Sequence, residues 1–230
     1  MTTSDDLTVL GALAEPSRRA LYDHVAAADS PVSREHAAQA VGLPVHSAKF
    51  HLDRLVEEGL LDVEFKRLSG RSGPGAGRPT KLYRRSGRTL DVSLPPRRYD
   101  LAGAILAEAF DAVTATGGPL PDAVATAAAT TGRELAAQPP APRARRPLAR
   151  VAQLLERYGY EPRLSPDGTE LALDNCPFDR LAREHTDLVC SLNLALVVGA
   201  VDGLGCPEVR PRLDPTPGHC CVRATTTTST

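Results

Sequence analysis

Five cysteines carry the plainest chemistry in this chain: Cys176, Cys190, Cys206, Cys220 and Cys221, all in the last quarter of 230 residues. The gaps between them are 13, 15 and 13 residues counted to Cys220, or 14 for the last if counted to Cys221. These are not the short C-x-x-C clips that seat zinc or a ferredoxin cluster, so a shared site must be assembled by the fold from separate elements. Thiolates select soft or borderline metals, namely zinc, copper(I) or iron in a sulfide cluster. Four of them satisfy an iron–sulfur site. Cys220 and Cys221 are neighbours, and neighbours in an extended strand point to opposite faces, so a strand admits only one of them to a site. The repeated 13-residue gap selects Cys220 to join Cys176, Cys190 and Cys206, with Cys221 as a substitute ligand or a packed thiol. Three other readings stay open on the residues alone: small core hydrophobes, a structural zinc site, or a metal-free thiol switch. His185 and His219 are reserve nitrogen ligands, each read first as a surface histidine.

The second chemical signal is charge. The chain has a net charge of −1, yet residues 65–88 hold eight Lys or Arg and no acid, while residues 161–230 hold six Arg against ten acids. A local basic block in a near-neutral chain points to a face that binds a polyanion. The elements that position it are legible. "PVSREHAAQAVGLP" predicts a helix capped by Ser33, with Glu35 in its first turn and Gly42 at its end. "LPVHSAKFHLDRLVEEGLL" predicts a second helix with Ala48, Leu52, Leu55 and Val56 on one stripe, ended by Gly59. Strand candidates "LLDVEFKRL" and "TKLYRRS" flank the Gly- and Pro-rich "SGRSGPGAGRP". Two helices joined by a Gly-containing turn, then a hairpin, describe a winged helix–turn–helix. The first helix should brace the second through Ala37, Ala40 and Val41. The second then presents His46, Ser47, Lys49, Phe50 and Arg54 to the major groove of double-stranded DNA. The wing adds Arg71, Arg78, Lys81, Arg84 and Arg85 for flanking phosphates or the minor groove. His24, His36 and His51 read as structural or surface residues.

"LAEPSRRALYDHV", "SREHAAQAVGLPVHSAKFHLDRLVEEGLLDVEF" and "GAGRPTKLYRRS" resemble the ArsR-like winged-helix bacterial regulators, and among them the SufR-type repressors of iron–sulfur cluster assembly. "NCPFDRLAREHTDLVCSLNLAL", "GLGC" and "PGHCCV" follow in order the widely spaced C-terminal cysteines with which that branch holds a cluster. The resemblance implies a homodimer on an inverted-repeat operator. It also implies an iron–sulfur cofactor on Cys176, Cys190, Cys206 and Cys220.

The expected fold is mainly α with small β-hairpins. A winged helix–turn–helix fills residues 1–92, a helical connector or dimerisation region 93–147 and a cysteine-containing α+β sensor domain 148–224, with a disordered tail at 225–230. "MTTSDDLTVL" lacks the charged start and apolar run of a signal peptide. The longest apolar stretch, "LNLALVVGAV" at 192–201, is too short to span a bilayer. The expected setting is therefore the cytoplasm, with no membrane partner and with thiols kept reduced. Two alternatives remain. One is a winged-helix regulator whose C-terminal domain binds zinc or a small ligand lodged between the apolar helices at 101–137 and 187–202. The other is a cysteine-dependent enzyme fused to a DNA-binding module. No nucleophile elbow, phosphate loop or paired acid and base supports that enzyme.

Overall fold

The computed structural model of the chain describes residues 3–67, 79–216 and 218–226. Two units separate at Val92 and Ser93. In the first, α1 (Thr3–Ala12) and α2 (Pro16–Ala26) precede the two-residue β1 (Val32–Ser33), α3 (Arg34–Val41), α4 (Val45–Glu57), β2 (Leu61–Lys66) and β3 (Thr80–Arg85). Local chemistry sets these boundaries. The Glu15 carboxylate accepts from the backbone N–H groups of Ser17 and Arg18 at 3.1 and 2.6 Å, with Pro16 opening α2. Ser33 Oγ accepts from His36 N at 3.2 Å, and Gly42 ends α3 at φ 71°, a conformation that costs glycine nothing. Leu52, Leu55, Ala48 and Leu21 bury fully in the shared core. Ala38, not Ala40, joins Ala37 in bracing α4, because the observed helix phase turns Ala40 to solvent. The sheet runs β1-β3-β2, antiparallel throughout, with Val32 opposite Tyr83 and Val63 opposite the same residue on the other side.

The second unit contains α5 (Tyr99–Thr116), α6 (Leu120–Ala137), α7 (Pro147–Glu156), β4 (Pro162–Leu164), β5 (Glu170–Leu173), α8 (Asp179–Glu184), α9 (Thr186–Gly203), β6 (Val209–Leu213) and β7 (Val222–Thr226). The sheet order is β4-β5-β7-β6, all antiparallel. Asp167 and Gly168 make the β4–β5 turn, where Ser165 Oγ accepts from Glu170 N at 2.9 Å. Residues 93–147 do not form a separate connector. Ile105, Ala109, Val124 and Ala128 share one core with Leu154, Phe178, Leu192 and Leu196. The Pro-rich 138–146 stretch is tied back to α7: Arg157 Nη1 donates to Pro140 O at 2.8 Å, and Gln153 Oε1 accepts from Arg143 N at 2.9 Å. Thr225 and Thr226, expected in a disordered tail, are strand residues paired with Arg210 and Val209, since β6 offers them a free edge.

α6 and α9 cross at backbone contact. A Cβ on Gly132 would fall on Leu196 O, and one on Gly199 on Ala129 O, both far inside van der Waals range. No room for a small ligand remains at that crossing, where a pocket was an option. By length and composition α9 is apolar enough to cross a membrane, but Leu192, Leu196, Val197 and Ala200 on it are core residues of this unit. Gly199→Ala should therefore destabilise the protein by roughly 2 kcal/mol or more through overpacking. Gly103→Ala, on α5 with open space around it, should stabilise it by up to about 1 kcal/mol through helix propensity. Thermal unfolding followed by circular dichroism distinguishes the two.

Candidate functional site

The bend before β7, the loop after β5 and the first turns of α9 meet around an open hollow of about 860 Å³. Four thiols line it: Cys176 from the loop, Cys190 from α9, and both Cys220 and Cys221 from the bend. The strand argument that admitted only one of the neighbouring pair fails here, because β7 begins at Val222 and the pair precedes it. Gly218 turns the chain at φ 82°, and Cys220 N then donates to Leu173 O at 2.9 Å. Cys206 is elsewhere. It is fully buried after α9, its Sγ 3.6 Å from Arg150 Nη1 and 3.7 Å from Leu204 O, and it does not line the hollow. Its place at the α9–β6 connection follows from chain topology that spacing does not encode.

Thiol contacts run in a chain from Cys176 to Cys220 to Cys221 to Cys190. Among the described residues, no three His, Cys, Asp or Glu side chains converge on one point as a single metal ion requires. Protons distribute over the set rather than over one sulfur. The Cys220 thiol beside it lowers Cys176, and the same thiol, aided by Cys190 and Asn193, lowers Cys221 to about 6. Cys220 is correspondingly raised by its bonds to Cys176 and Cys221. Burial, then the bond to Cys221, pushes Cys190 up to about 12. Beneath the thiols, Asn193 Nδ2 donates to Cys220 Sγ at 3.1 Å while Asn193 Oδ1 accepts from Tyr160 OH at 2.5 Å. Sequence reasoning did not single out this fully buried amide; a lone Asn inside the apolar run "SLNLALVVGAV" was its signal. Around the thiols stand Asp174, Asp179 and Asp187 with Arg183 and His219. His219 Nδ1 lies 3.0 Å from Asp174 Oδ1, and the Arg163 guanidinium, 2.8 Å away, holds that carboxyl down to about 2.

In the first unit, α4 and β3 carry the basic face. His46, Lys49, Phe50 and Arg54 are exposed on α4, and Ser47 is half-buried beside them. Phe50, at 65% exposure, is large, apolar and uncovered. Asp53 ties the helix to the sheet. Its Oδ2 accepts from Lys49 Nζ at 2.9 Å, and its Oδ1 accepts from Lys81 Nζ at 2.5 Å and Tyr83 OH at 3.2 Å. Burial pushes the Asp53 carboxyl up, but Lys81 and Lys49 outweigh burial and hold it below its ordinary value. Burial, then the Asp53 charge, raises Tyr83 to about 12, so its hydroxyl remains a donor. Arg54 pairs with Glu57 at 3.2 Å and with Glu58, and Arg84 pairs with Asp62 at 3.4 Å. Arg71 and Arg78 lie outside the described residues.

Residues 13–64 match a family model described as a helix-turn-helix domain. The match runs from the start of the α1–α2 turn into β2 and takes in the whole of α2, α3 and α4. No curated protein and no solved structure matches the chain. The helix-turn-helix domain supports a DNA-binding transcription regulator rather than an enzyme. It leaves the thiol hollow, which lies wholly outside the matched segment, to be read from its own geometry.

That geometry makes a prediction for the metal-free protein. With iodoacetamide at neutral pH, Cys221 should be the first cysteine modified, and its rate should rise through pH about 6. Below that pH the thiolate is lost; above it the rate levels off, whereas an ordinary thiol of pKa ~8.5 would still be climbing. Cys206, raised by burial, should react only after unfolding. Peptide mass spectrometry across a pH series reads both.

Proposed function

We propose that this protein is a homodimeric transcription regulator of the cytoplasm that binds an inverted-repeat operator and senses redox or iron status through an iron–sulfur cluster. The observation that carries the sensing half is the gathering of four thiols, from three separate elements, around one open hollow. Their chain-like contact suits a group that offers several metal atoms to separate sulfurs better than a single zinc ion, which needs its sulfurs about one centre. Cys176, Cys190, Cys220 and Cys221 would hold it. The cluster's contribution is a group whose presence and charge depend on iron and oxidant.

Everything else falls to the chain. Asn193 orients Cys220 from below, and the His219–Asp174–Arg163 relay fixes the bend that carries the vicinal pair. On the DNA side, α4 enters the major groove, with Lys49, Arg54, Lys81 and Arg84 meeting phosphates and His46, Ser47 and Phe50 facing base edges. Occupancy of the thiols acts on operator affinity by linkage: a group that favours one dimer geometry favours the half-site spacing that geometry matches.

Protein purified without oxygen, or reconstituted with ferrous iron and sulfide, should be brown and contain iron and acid-labile sulfide. Cys176→Ser, Cys190→Ser and Cys221→Ser should each lose most of that colour, while Cys206→Ser should retain it. A colourless, iron-free product after anaerobic reconstitution would overturn the sensing half. Failure to bind any duplex would overturn the other half.

A further inference from the structure

Four of the five described cations assigned to the DNA face already hold a carboxylate of their own chain: Lys49 and Lys81 share Asp53, Arg54 holds Glu57 and Glu58, and Arg84 holds Asp62. Two of these four acids, Glu57 and Asp62, belong to ordinary surface pairs, which water and salt screen. Glu58 is less exposed but serves one cation, and Asp53 differs from all of them. Its side chain is 29% exposed against 56% for Lys49, it serves two cations from different elements, and the buried Tyr83 anchors it by a third hydrogen bond. The carboxylate is thereby fixed on α4 between two ammonium groups.

Resting on the DNA-binding reading of this face, we infer that Asp53 is an internal stand-in for a DNA phosphate and restrains the affinity of the helix and wing for the duplex backbone. A lysine that turns to a phosphate must weaken its bond to the Asp53 carboxylate, which then keeps only the other lysine and the Tyr83 hydroxyl named above. Each such contact is thus made at a discount, whatever the base sequence beneath it. Backbone contact supplies nearly all sequence-independent binding, and the number of phosphates neutralised sets its salt dependence. Asp53 therefore limits both. The same bonds keep Lys49 and Lys81 from ranging freely, so the restraint also sets the direction from which they approach DNA.

Asp53→Asn tests this in the full-length protein. Asparagine keeps the shape and still accepts from Tyr83 OH, but releases the charge on both lysines. Binding to a random-sequence duplex, measured by fluorescence anisotropy between about 50 and 200 mM salt, should tighten roughly five- to tenfold at the lower salt and steepen in log–log slope by about one to two. Asp23→Asn removes the same charge from an exposed pair with Arg19 on α2 and should leave the slope at the wild-type value. Thermal unfolding of each variant verifies that it is folded. An unchanged or shallower slope for Asp53→Asn overturns the inference, as does an equal shift in Asp23→Asn, which would make the effect one of net charge. If neither wild type nor Asp53→Asn binds the duplex at low salt, the DNA-binding reading falls and this inference with it.

Discussion

The C-terminal unit depends on one close approach, the backbone contact between α6 and α9. Gly132 and Gly199 leave no side chain between the helices, so the carbonyls of Leu196 and Ala129 come to rest where a Cβ would lie. That contact fixes α9 along its length, and α9 carries Cys190 to the hollow and Asn193 to the Cys220 sulfur beneath it. Bulkier residues at the crossing would lift α9 from α6 and move those two groups relative to Cys220, which is anchored on the sheet through Leu173. A site whose donors come from a loop, a helix and a bend has no local sequence to hold it. Its geometry is only as fixed as the packing beneath it.

Much of the helix–turn–helix was legible because its signals are local. Ser33, Gly42, Gly59 and the stripe of Ala48, Leu52 and Leu55 each report a conformation within a few residues of themselves, and the structure uses each one. β1 was not legible, since two residues have no periodicity and Val32 is a strand residue only because β3 lies beside it. In the C-terminal unit the five cysteines were visible but their grouping was not. Even gaps suggested that Cys206 belonged with the others, yet the turn after α9 buries it against Arg150. The vicinal pair misled for another reason. Alternation of side chains is a property of a pleated strand, and Cys220 and Cys221 occupy the bend before one.

Both candidate sites are held in check by carboxylates of the chain itself. On the helix–turn–helix, cations suited to phosphate are already satisfied by Asp53, Glu57, Glu58 and Asp62, so the basic face carries far less free positive charge than its composition implies. The eight Lys and Arg of residues 65–88 looked acid-free in sequence; the acids that pair with Lys81, Arg84 and Arg88 are Asp53 on α4, Asp62 on β2 and Asp6 on α1, all outside that window. Charge counted along the chain and charge counted on a face are different quantities, and only the second meets a ligand.

At the thiol hollow the check runs the other way. Asp187 adds to the burial and the Cys221 contact that raise Cys190, and Asp179 works against the Cys220 contact that lowers Cys176, so nearby carboxylates oppose the formation of thiolates, the form a metal requires. Arg183 does not relieve this, because it is committed to Asp179 at 2.9 Å. The four sulfurs consequently settle their protons among themselves, with Cys221 lowered at the expense of Cys220. An occupant bearing positive charge would be attracted by the same carboxylates and would favour loss of the remaining protons. The acids that oppose ionisation of the empty site would thus favour its ionisation beside a cationic group, coupling proton release to occupancy.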